Sequence, residues 1–472
     1  MDELRVERGR YHDSVSLMRA STAAAGTTGV EQVLGAMATE LNRQLLVDLG
    51  FDPGDAGPND LVLAVRADDA DAVAAAIAAF ETELARRPTG AAGDDEVAAR
   101  TVESAAERSG ADVALVSVPG PHAFTEASAA LDAGLHVMVF SDGVSLDHEV
   151  ALKRRATDAG LLVMGPDCGT AIVGGVGLGF ANVVRPGPVG IVAASGTGSQ
   201  QLCCLLDAAG IGVRHVLGTG GRDLSAAVGG ASTLAALAAL DEDPSVEVIV
   251  LVSKPPDDEV AGAVEQAAAA CSTPVITGFV GPGRDDLTAV AAAVAEACGS
   301  PFPELAVTAP DNDPTASAPT RSGGAIAGLF SGGTDASEAE IVLGGLVPAE
   351  RLRIVDLGDD EWTAGRPHPM IDHRILLETV EKSAADPTVG VILLDVVCGH
   401  GAHPDPASSL APAITAARAE GVAVVAALVA TRDDPQGADR QVAALAAAGA
   451  EVHRNVAGAA RAAARLAGGE PS

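Results

Sequence analysis

The sequence predicts an α/β protein built from doubly wound, mainly parallel sheets. Short runs of Val, Ile and Leu alternate with Ala-rich stretches along most of the chain. Continuously apolar strands separated by helices are typical of parallel sheets that are covered on both faces. Aromatic residues make up only 2% of a chain that is 48% apolar, so the cores must consist mainly of Ala, Val and Leu. That composition favours Ala-rich helices on strands over an aromatic-rich β-sandwich.

The strands are predicted from six short apolar runs. Each run has the length of an ordinary buried strand, and Ala-rich stretches of helical length separate most of them. The runs are LVLAVRA (61–67), DVALVSV (112–118), HVMVF (136–140), VGIVAA (189–194), VEVIVLVS (246–253) and TPVITGF (273–279).

Length and two Pro-rich breaks predict three domains. A chain of 472 residues suits about three cores of roughly 100 to 200 residues each. One break is Pro186 to Pro188, and the other is the Pro/Asp/Ser/Thr-rich stretch 308–324. The predicted order is an N-terminal domain, a middle domain, a linker and a C-terminal domain, with bounds 1–185, 186–307, 308–321 and 322–472.

The middle and C-terminal segments read as two copies of one unit. Each contains, in order, a strand, a Ser/Gly loop, a helix, a strand and a loop with Gly and Asp. The offset between the copies is about one domain, which is too long for a solenoid repeat. We therefore predict duplication of a flavodoxin-like unit.

Charge and cysteine usage exclude several classes of partner. The formal charge of −34 would repel nucleic acid and anionic membranes. Six cysteines without a CxxC pair, and without His at ligand spacing, predict a reduced protein with no metal site. The N-terminal segment MDELRVERGRYHDS has no signal region, and no run of about 18 apolar residues occurs. The expected location is cytoplasmic.

Two glycine-rich loops at strand ends are the main candidate site. In each copy the loop opens a helix, whose N–H groups and partial positive charge favour an anion. Either loop alone is equally well explained as ordinary helix capping. Two loops at equivalent places in duplicated domains predict a shared phosphate site. The residues are Ser195, Gly196, Thr197, Gly198 and Ser199 in the first loop, and Ser331, Gly332, Gly333 and Thr334 in the second.

Other loops at predicted strand ends supply further candidates, because doubly wound sheets bind ligands there. One group is Asp167, Cys168 and Gly220. Lys254, one of only three lysines, could counter a bound anion, or could be a solvated turn residue.

A Pro-rich loop presents an arginine and a histidine. Arg366 and His368 lie in GRPHPMID, where the guanidinium could grip a carboxylate or phosphate. Both could equally be surface residues beside structural prolines.

Several motifs together resemble the FdrA family, and the resemblance covers essentially the whole chain. The matching segments are MGPDCGT (164–170), VGIVAASGTGSQ (189–200), GTGGRDLS (218–225), SGGTDA (331–336), VDLGDDEWTAGRPHPMID (355–372) and LLDVV (393–397).

FdrA proteins are similar to succinyl-CoA synthetase and related NDP-forming acyl-CoA synthetases. The resemblance implies a CoA-binding-like, Rossmann-type N-terminal domain followed by two flavodoxin-like ligase domains with parallel sheets. In that superfamily a phosphohistidine lies between two helix N-termini, which would here be the two Ser/Gly loops. The segment that would carry this histidine reads GPGRDDLTAV and contains none, and no segment reads as an ATP-grasp domain.

Three functions follow from the resemblance. The first is a subunit of an oxamate carbamoyltransferase-type complex, which converts oxalurate and phosphate to oxamate and carbamoyl phosphate. In it the loops would hold phosphate or carbamoyl phosphate, and Arg366 and His368 would contact the organic substrate. The second is an acyl-CoA ligase that works with a separate ATP-grasp subunit and uses His368 or His400 as phosphate carrier. The third is a non-catalytic subunit that binds CoA or an acyl phosphate.

All three functions imply a small anionic substrate and a hetero-oligomer with other subunits. The sequence requires no cofactor, and it leaves binding of CoA open.

Overall fold

The computed structural model describes residues 1–12, 14–85, 99–310, 321, 323–363 and 366–468. The chain forms two compact units, which are described separately. The first comprises Met1–Ala98 and Asp359–Asp372, and the second comprises Ala99–Gly358 and His373–Ser472. Residues 311–320 of the predicted linker lie outside the described residues. In the described ranges, no helix has the length and apolarity needed to cross a membrane.

The first unit is a three-stranded antiparallel sheet with helices on both faces. Its elements are β1 (Asp2–Glu7), α1 (Ser14–Ala25), β2 (Val30–Met37), α2 (Glu40–Asp48), β3 (Leu61–Ala67), α3 (Ala70–Ala85) and α12 (Asp360–Thr363). The strand order is β1-β3-β2, and both outer strands run antiparallel to β3.

The direction of β3 differs from the expectation. The sequence analysis grouped LVLAVRA (61–67) with the parallel strands, and that prediction is wrong for this segment. The central strand has one apolar core with α1 and α3, containing Leu63 and Phe80. It has another on the opposite face, containing Val62 and Leu46 of α2. The continuous apolar run of β3 therefore results from burial on both faces of the sheet, and a central antiparallel strand can be buried in this way as well.

The second unit begins with a small Rossmann-type part. It consists of α4 (Val102–Ser109), β4 (Val113–Val116), α5 (Gly120–Asp132), β5 (His136–Val139), α6 (Leu146–Ala159) and β6 (Val163–Met164). The three strands are parallel in the order β4-β5-β6.

The next sheet has six strands in the order β12-β11-β9-β10-β7-β8. Strands β9 to β12 are parallel, whereas β7 and β8 form an antiparallel hairpin at one edge. Its elements are β7 (Thr170–Val173), β8 (Val176–Gly179), β9 (Val189–Ala193), α7 (Gly196–Ala208), β10 (Val213–Gly218), α8 (Ala231–Glu242), β11 (Val248–Ser253), α9 (Asp258–Ala270), β12 (Val275–Phe279) and α10 (Leu287–Ala297).

The last sheet also has six strands, in the order β13-β18-β17-β16-β14-β15. All pairs are parallel except that of β13 with β18. Its elements are β13 (Val307–Thr308), β14 (Ala325–Phe330), α11 (Gly333–Gly344), a 3-10 turn (Ala349–Arg351), β15 (Leu352–Asp356), α13 (Arg374–Ala385), β16 (Val389–Val397), α14 (Pro406–Ala419), β17 (Ala423–Val429), α15 (Ala438–Ala447), β18 (Ala450–His453) and α16 (Val456–Leu466).

Strand order confirms the predicted fold class and locates the ligand-binding edges. The orders β10-β9-β11-β12 and β15-β14-β16-β17-β18 are those of a flavodoxin-like sheet. In that topology the crevice lies where the chain reverses direction across the sheet, at the ends of β9 and β11 and of β14 and β16. The two Ser/Gly loops directly follow β9 and β14.

The domain boundaries at 185, 307 and 321 stay predictions. The structure adds a division near residue 98 that the sequence analysis did not place, within the segment assigned as 1–185.

Candidate functional site

Helix α7 begins with a well-formed cap. Ser195 is the N-cap residue, with φ −152° and ψ 121°, and its Oγ accepts a hydrogen bond of 3.0 Å from the Gly198 amide. The side chain thus satisfies one of the four amide donors that a helix start leaves without intrahelical partners. Gly196 is exposed, whereas Thr197 and Ser199 are buried. The first turn of α7 therefore has one open side, at Gly196.

Helix α11 begins without such a cap. Its N-cap residue is Gly332, and no side chain accepts from the first turn as a cap. The preceding Ser331 is held by the sheet instead, because its amide and hydroxyl both donate to the carboxylate of Asp395 on β16, at 2.9 to 3.0 Å. The start of α11 is therefore fixed in position, although no side chain caps the amide donors of its first turn.

The structure brings the two predicted loops into direct contact. Ser195 Oγ donates to Thr334 Oγ1 at 2.5 Å, across 139 positions of sequence. A Cβ added at Gly198 would lie 2.8 Å from Thr334 Cγ2, and one at Gly332 would lie 2.3 Å from Thr197 Cγ2. Each helix start thus receives a threonine from the other, and glycine is required on both sides for this approach.

The contact is closer than the sequence analysis assumed. Two oxygens 2.5 Å apart leave no room for a phosphate between them. Beside the hydroxyl pair, Gly196 is exposed and Gly332 and Gly333 are half-buried. Lys254 lies at this edge, with Nζ 4.0 Å from the Cβ position of Gly333. The predicted loops and Lys254 are therefore neighbours, although the proposed phosphate role remains untested.

Three buried carboxyl groups lie behind the start of α11. Asp335 and Asp395 are 0% and 1% exposed, and Glu338 is 1% exposed. Burial raises the pKa of Asp395 to about 7 and that of Glu338 to about 7, and it raises the pKa of Asp335 well above its ordinary value. Sequence reasoning missed all three. The available signal was Asp395, a single carboxylate in the apolar run VGVILLDVV.

A buried polar bridge links the middle sheet and the last sheet beside this site. Gln201 of α7 donates from Nε2 to Glu338 Oε2 at 2.7 Å, and its Oε1 accepts from the Val456 amide at 2.7 Å. The other oxygen of Glu338 accepts from the Leu287 amide at 2.7 Å. A buried acceptor satisfied on both oxygens is costly to break. The relative position of α7 and α11 is therefore set by side chains as well as by apolar packing.

The predicted loops at 165–170 and 218–220 pack against each other. A Cβ added at Gly220 would lie 2.6 Å from Pro166 O, and one at Gly218 would lie 2.4 Å from Cys168 Sγ. Thr170 Oγ1 lies 3.5 Å from the Cβ position of Gly196, so this pair of loops adjoins the start of α7. Asp167 is exposed with φ 55°. The Asp167 carboxylate is not part of the hydrogen bond between Ser195 and Thr334.

We expect Gly220→Ala to destabilise the chain by about 2–4 kcal/mol, combining the cost of a non-glycine residue at positive φ with a backbone clash. Gly229→Ala is the matched control, because Gly229 has φ +76° against +86° for Gly220 but open space around its Cβ position. Urea unfolding followed by circular dichroism measures both variants. Equal losses for the two would show that the contact with the Pro166 loop contributes nothing.

The remaining candidates lie elsewhere or lack the required chemistry. Arg366 and His368 belong to the segment Asp359–Asp372 of the first unit, so the structure does not combine them with the loops in one body. Desolvation lowers the pKa of His368 to about 4. Cys168 is buried, and burial raises the pKa of its thiol to about 12, which excludes a reactive thiolate at neutral pH. His400 is exposed and pairs through its backbone with Ala181.

The C-terminal part of the chain, with the start of α11, is similar to a CoA-ligase domain. Residues 329–466, which include α11 and strands β15 to β18, match the CoA-ligase family model. The chain belongs to the same family as the uncharacterized protein YahF of Escherichia coli (strain K12), with 35% identity over 92% of this chain and 93% of YahF. It is also similar to the succinate–CoA ligase [ADP-forming] subunit alpha 1 of Archaeoglobus fulgidus, with 32% identity over 36% of this chain and 56% of that subunit.

Among solved structures, the chain matches the dinucleotide-forming acetyl-coenzyme A synthetase 1 of Ca. Korarchaeum cryptofilum, in complex with phosphate and ADP. The similarity covers 81% of this chain and 89% of that one, with 16% identity and a TM-score of 0.34. A similarity of this size carries no conclusion about the site.

Residues 1–101 match the model described as AllF, heavy metal-associated domain. The donor set does not fit a soft metal, because the first cysteine of the chain is Cys168 and residues 1–101 contain none. Within the described part of the chain, no group of three or more His, Cys, Asp or Glu side chains is arranged to hold a metal ion. We therefore assign no metal chemistry to this unit.

Proposed function

We propose that this chain is a subunit of an NDP-forming acyl-CoA ligase-type complex that binds a phosphoryl group or acyl phosphate beside the paired starts of α7 and α11. A separate ATP-grasp subunit would supply the nucleotide chemistry. The observation that carries the proposal is the hydrogen bond between Ser195 Oγ and Thr334 Oγ1, which joins equivalent loops of the two ligase domains. The CoA-ligase match and the similarity to a ligase alpha subunit support it.

Each part of the site has a defined task in this reading. The two helix starts direct amide donors and partial positive charge, roughly half an elementary charge each, at one small volume. The hydroxyls of Ser195 and Thr334 can rotate from each other to an oxyanion, and Lys254 adds a full positive charge at the edge. Donors fixed before the reaction stabilise charge that develops on phosphoryl oxygens without reorganisation. The arrangement suits transfer of an acyl or phosphoryl group.

The oxamate carbamoyltransferase-type reaction is a second candidate, and one observation favours it. The segment GPGRDDLTAV (281–290), which by resemblance would carry a phosphohistidine, contains no histidine. Its Arg284 instead lies over the ring of Phe279, and the Leu287 amide donates to Glu338. Phosphorolysis of oxalurate needs bound phosphate and a polarised carbonyl but no phosphorylated residue. In this candidate the loops would hold phosphate.

The binding proposal is tested by calorimetric titration of the full chain with inorganic phosphate, acetyl phosphate and carbamoyl phosphate. Thr334→Val keeps the shape of the side chain and removes its hydroxyl, so we expect affinity to fall about tenfold, as for loss of one charge-assisted hydrogen bond. Thr379→Val is the control, because the Thr379 hydroxyl donates to Ile375 O within α13. Failure of all three anions to bind, or equal affinity for both variants and the wild type, would rule the site out.

The two reactions are separated with the complex isolated through a tag on this chain. The ligase reading predicts that ADP, phosphate and an acyl-CoA yield ATP and free CoA. The carbamoyltransferase reading predicts that oxalurate and phosphate yield carbamoyl phosphate without nucleotide. Product from only the mixture of oxalurate and phosphate would replace the first candidate with the second. Product from neither mixture would contradict both.

A further inference from the structure

Asp335 is a buried carboxyl group in the first turn of α11. The proposed function assigns it no role. It follows Thr334 directly and is 0% exposed. Neither carboxyl oxygen has a hydrogen-bond partner among the described residues. The Thr197 hydroxyl of α7 is close enough to lower the pKa of this carboxyl, yet it does not reach hydrogen-bonding geometry. An unpaired buried carboxyl therefore faces the junction of the two helix starts.

The groups around Asp335 are mostly acidic. Asp395 of β16, Glu338 of α11 and Asp356 of β15 all raise its pKa by their negative charge. Lys254 lies at the outer edge beside Gly333, and no cation is among the described residues that mainly shift the pKa of Asp335. If every one of these carboxyl groups were ionised, a phosphate dianion would meet strong repulsion at the place where the helix starts attract it.

Hydrogen bonding shows whether Asp335 or Asp395 holds the proton when the two share one. Asp395 accepts from the amide and the hydroxyl of Ser331, and such donors favour the ionised form. Asp335 has no donor of that kind in hydrogen-bonding geometry. A proton shared by the pair therefore belongs on Asp335.

We propose, on the basis of the proposed function, that Asp335 carries this proton and that the site takes an oxyanion only while the proton is present. Asp335 is then a positioning residue, whose neutral form keeps the junction of α7 and α11 free of a negative charge. The ligand class is a small doubly charged oxyanion, such as phosphate or the phosphoryl end of an acyl phosphate.

The sign of the pH dependence follows from linkage. Burial and the neighbouring carboxylates raise the pKa of Asp335 well above its ordinary value, so the proton is kept at low pH and lost as pH rises through the raised value. A bound dianion favours the protonated form further, so the complex binds more protons than the free protein. Affinity for the anion must then fall as pH rises.

Sulfate is the suitable probe, because it stays a dianion across the working pH range while phosphate titrates. We expect the affinity of the wild-type chain for sulfate to fall by up to about tenfold per pH unit once Asp335 loses its proton. Asp335→Asn mimics the neutral carboxyl in shape and charge. This variant should bind sulfate like the wild type at pH 6 and should show a clearly smaller decline between pH 6 and pH 10, the remainder coming from Asp395 and Glu338.

The matched control is Asp258→Asn, since Asp258 is an exposed aspartate in the first turn of α9. It should keep the full decline. A second measurement does not depend on binding: the infrared spectrum of the wild type at pH 8 should contain the carbonyl band of a buried protonated carboxyl, absent from Asp335→Asn and present in Asp258→Asn.

The outcomes separate this inference from the proposed function. If sulfate and phosphate fail to bind at any pH, the proposed function fails, whatever the infrared band shows. If sulfate binds but the wild type shows no decline, or Asp335→Asn declines equally, only the proton on Asp335 is refuted. Should Asp335→Asn not fold, absence of the infrared band from the wild type would still overturn the inference.

Discussion

Lys153→Met is expected to lower the free energy of unfolding by about 3–5 kcal/mol, because it leaves the buried carboxylate of Asp223 without its cation and leaves Glu149 with Arg222 alone. Lys153 of α6 is 2% exposed. Its Nζ donates to Glu149 Oε1 at 2.7 Å, to Asp223 Oδ1 at 2.8 Å and to Thr219 O at 2.9 Å. Methionine fills a similar volume without charge, so the loss reports the unpaired carboxylates rather than a cavity.

The control is Lys382→Met, which removes an exposed lysine in the last turn of α13 and should cost at most about 0.5 kcal/mol. Urea unfolding followed by circular dichroism measures both variants. The deficit of Lys153→Met should shrink at pH 5, since protonation relieves the stranded carboxylates. Equal midpoints for the two variants would mean that the buried network contributes nothing to stability.

This network joins the Rossmann-type part to the middle sheet. Glu149 belongs to α6, whereas Thr219 and Asp223 follow β10. Asp223 is itself held by the amide and hydroxyl of Thr233. Loss of Lys153 should therefore loosen the loop containing Gly220, which packs against the loop next to the start of α7. Anion affinity should weaken together with stability.

Gly332→Ala is expected to separate the two helix starts. Its φ of −167° is open to any residue, so the effect is steric alone. The new Cβ would lie 2.3 Å from Thr197 Cγ2 and 2.7 Å from Thr197 Oγ1. Thr197 is buried and β-branched, so overpacking should cost about 1–3 kcal/mol, and the hydrogen bond between Ser195 and Thr334 should be lost.

Calorimetric titration with inorganic phosphate should then show affinity reduced tenfold or more, as expected when fixed donors move by about 1 Å. Gly221→Ala is the control, because nothing lies within 4 Å of its Cβ position and its φ is not in the left-handed region. Adding Thr197→Ala to Gly332→Ala relieves the clash and should recover most of the lost stability. If the double variant is no more stable than Gly332→Ala, the steric explanation is wrong.

The sequence located the loops at the ends of strands but could not show how near they lie to each other. Small residues after an apolar run are a local signal, readable at Ser195 and at Ser331. The contact between Ser195 and Thr334 depends on how two sheets pack, across 139 positions. The same limit explains why Arg366 and His368, adjacent in sequence to β15, were grouped with the loops although they belong to the other compact unit.

The buried acids were missed for a related reason. Asp335 and Glu338 occur in TDASEAE, which reads as an exposed acidic helix face. Only the packing of α11 against α7 and β16 removes them from water and raises the pKa of each. Likewise, Lys153 reads as one rare surface lysine until α6 meets the loop after β10.

The sequence by itself determined the α/β class, the flavodoxin-like copies and the two helix starts, because strand patterning, glycine placement and capping are properties of neighbouring residues. Tertiary structure alone decided the antiparallel direction of β3, the pairing of Ser195 with Thr334, and the environments of Asp335 and Lys153. These depend on which surfaces pack together, and desolvation and charge pairing take effect only when residues distant in sequence become neighbours.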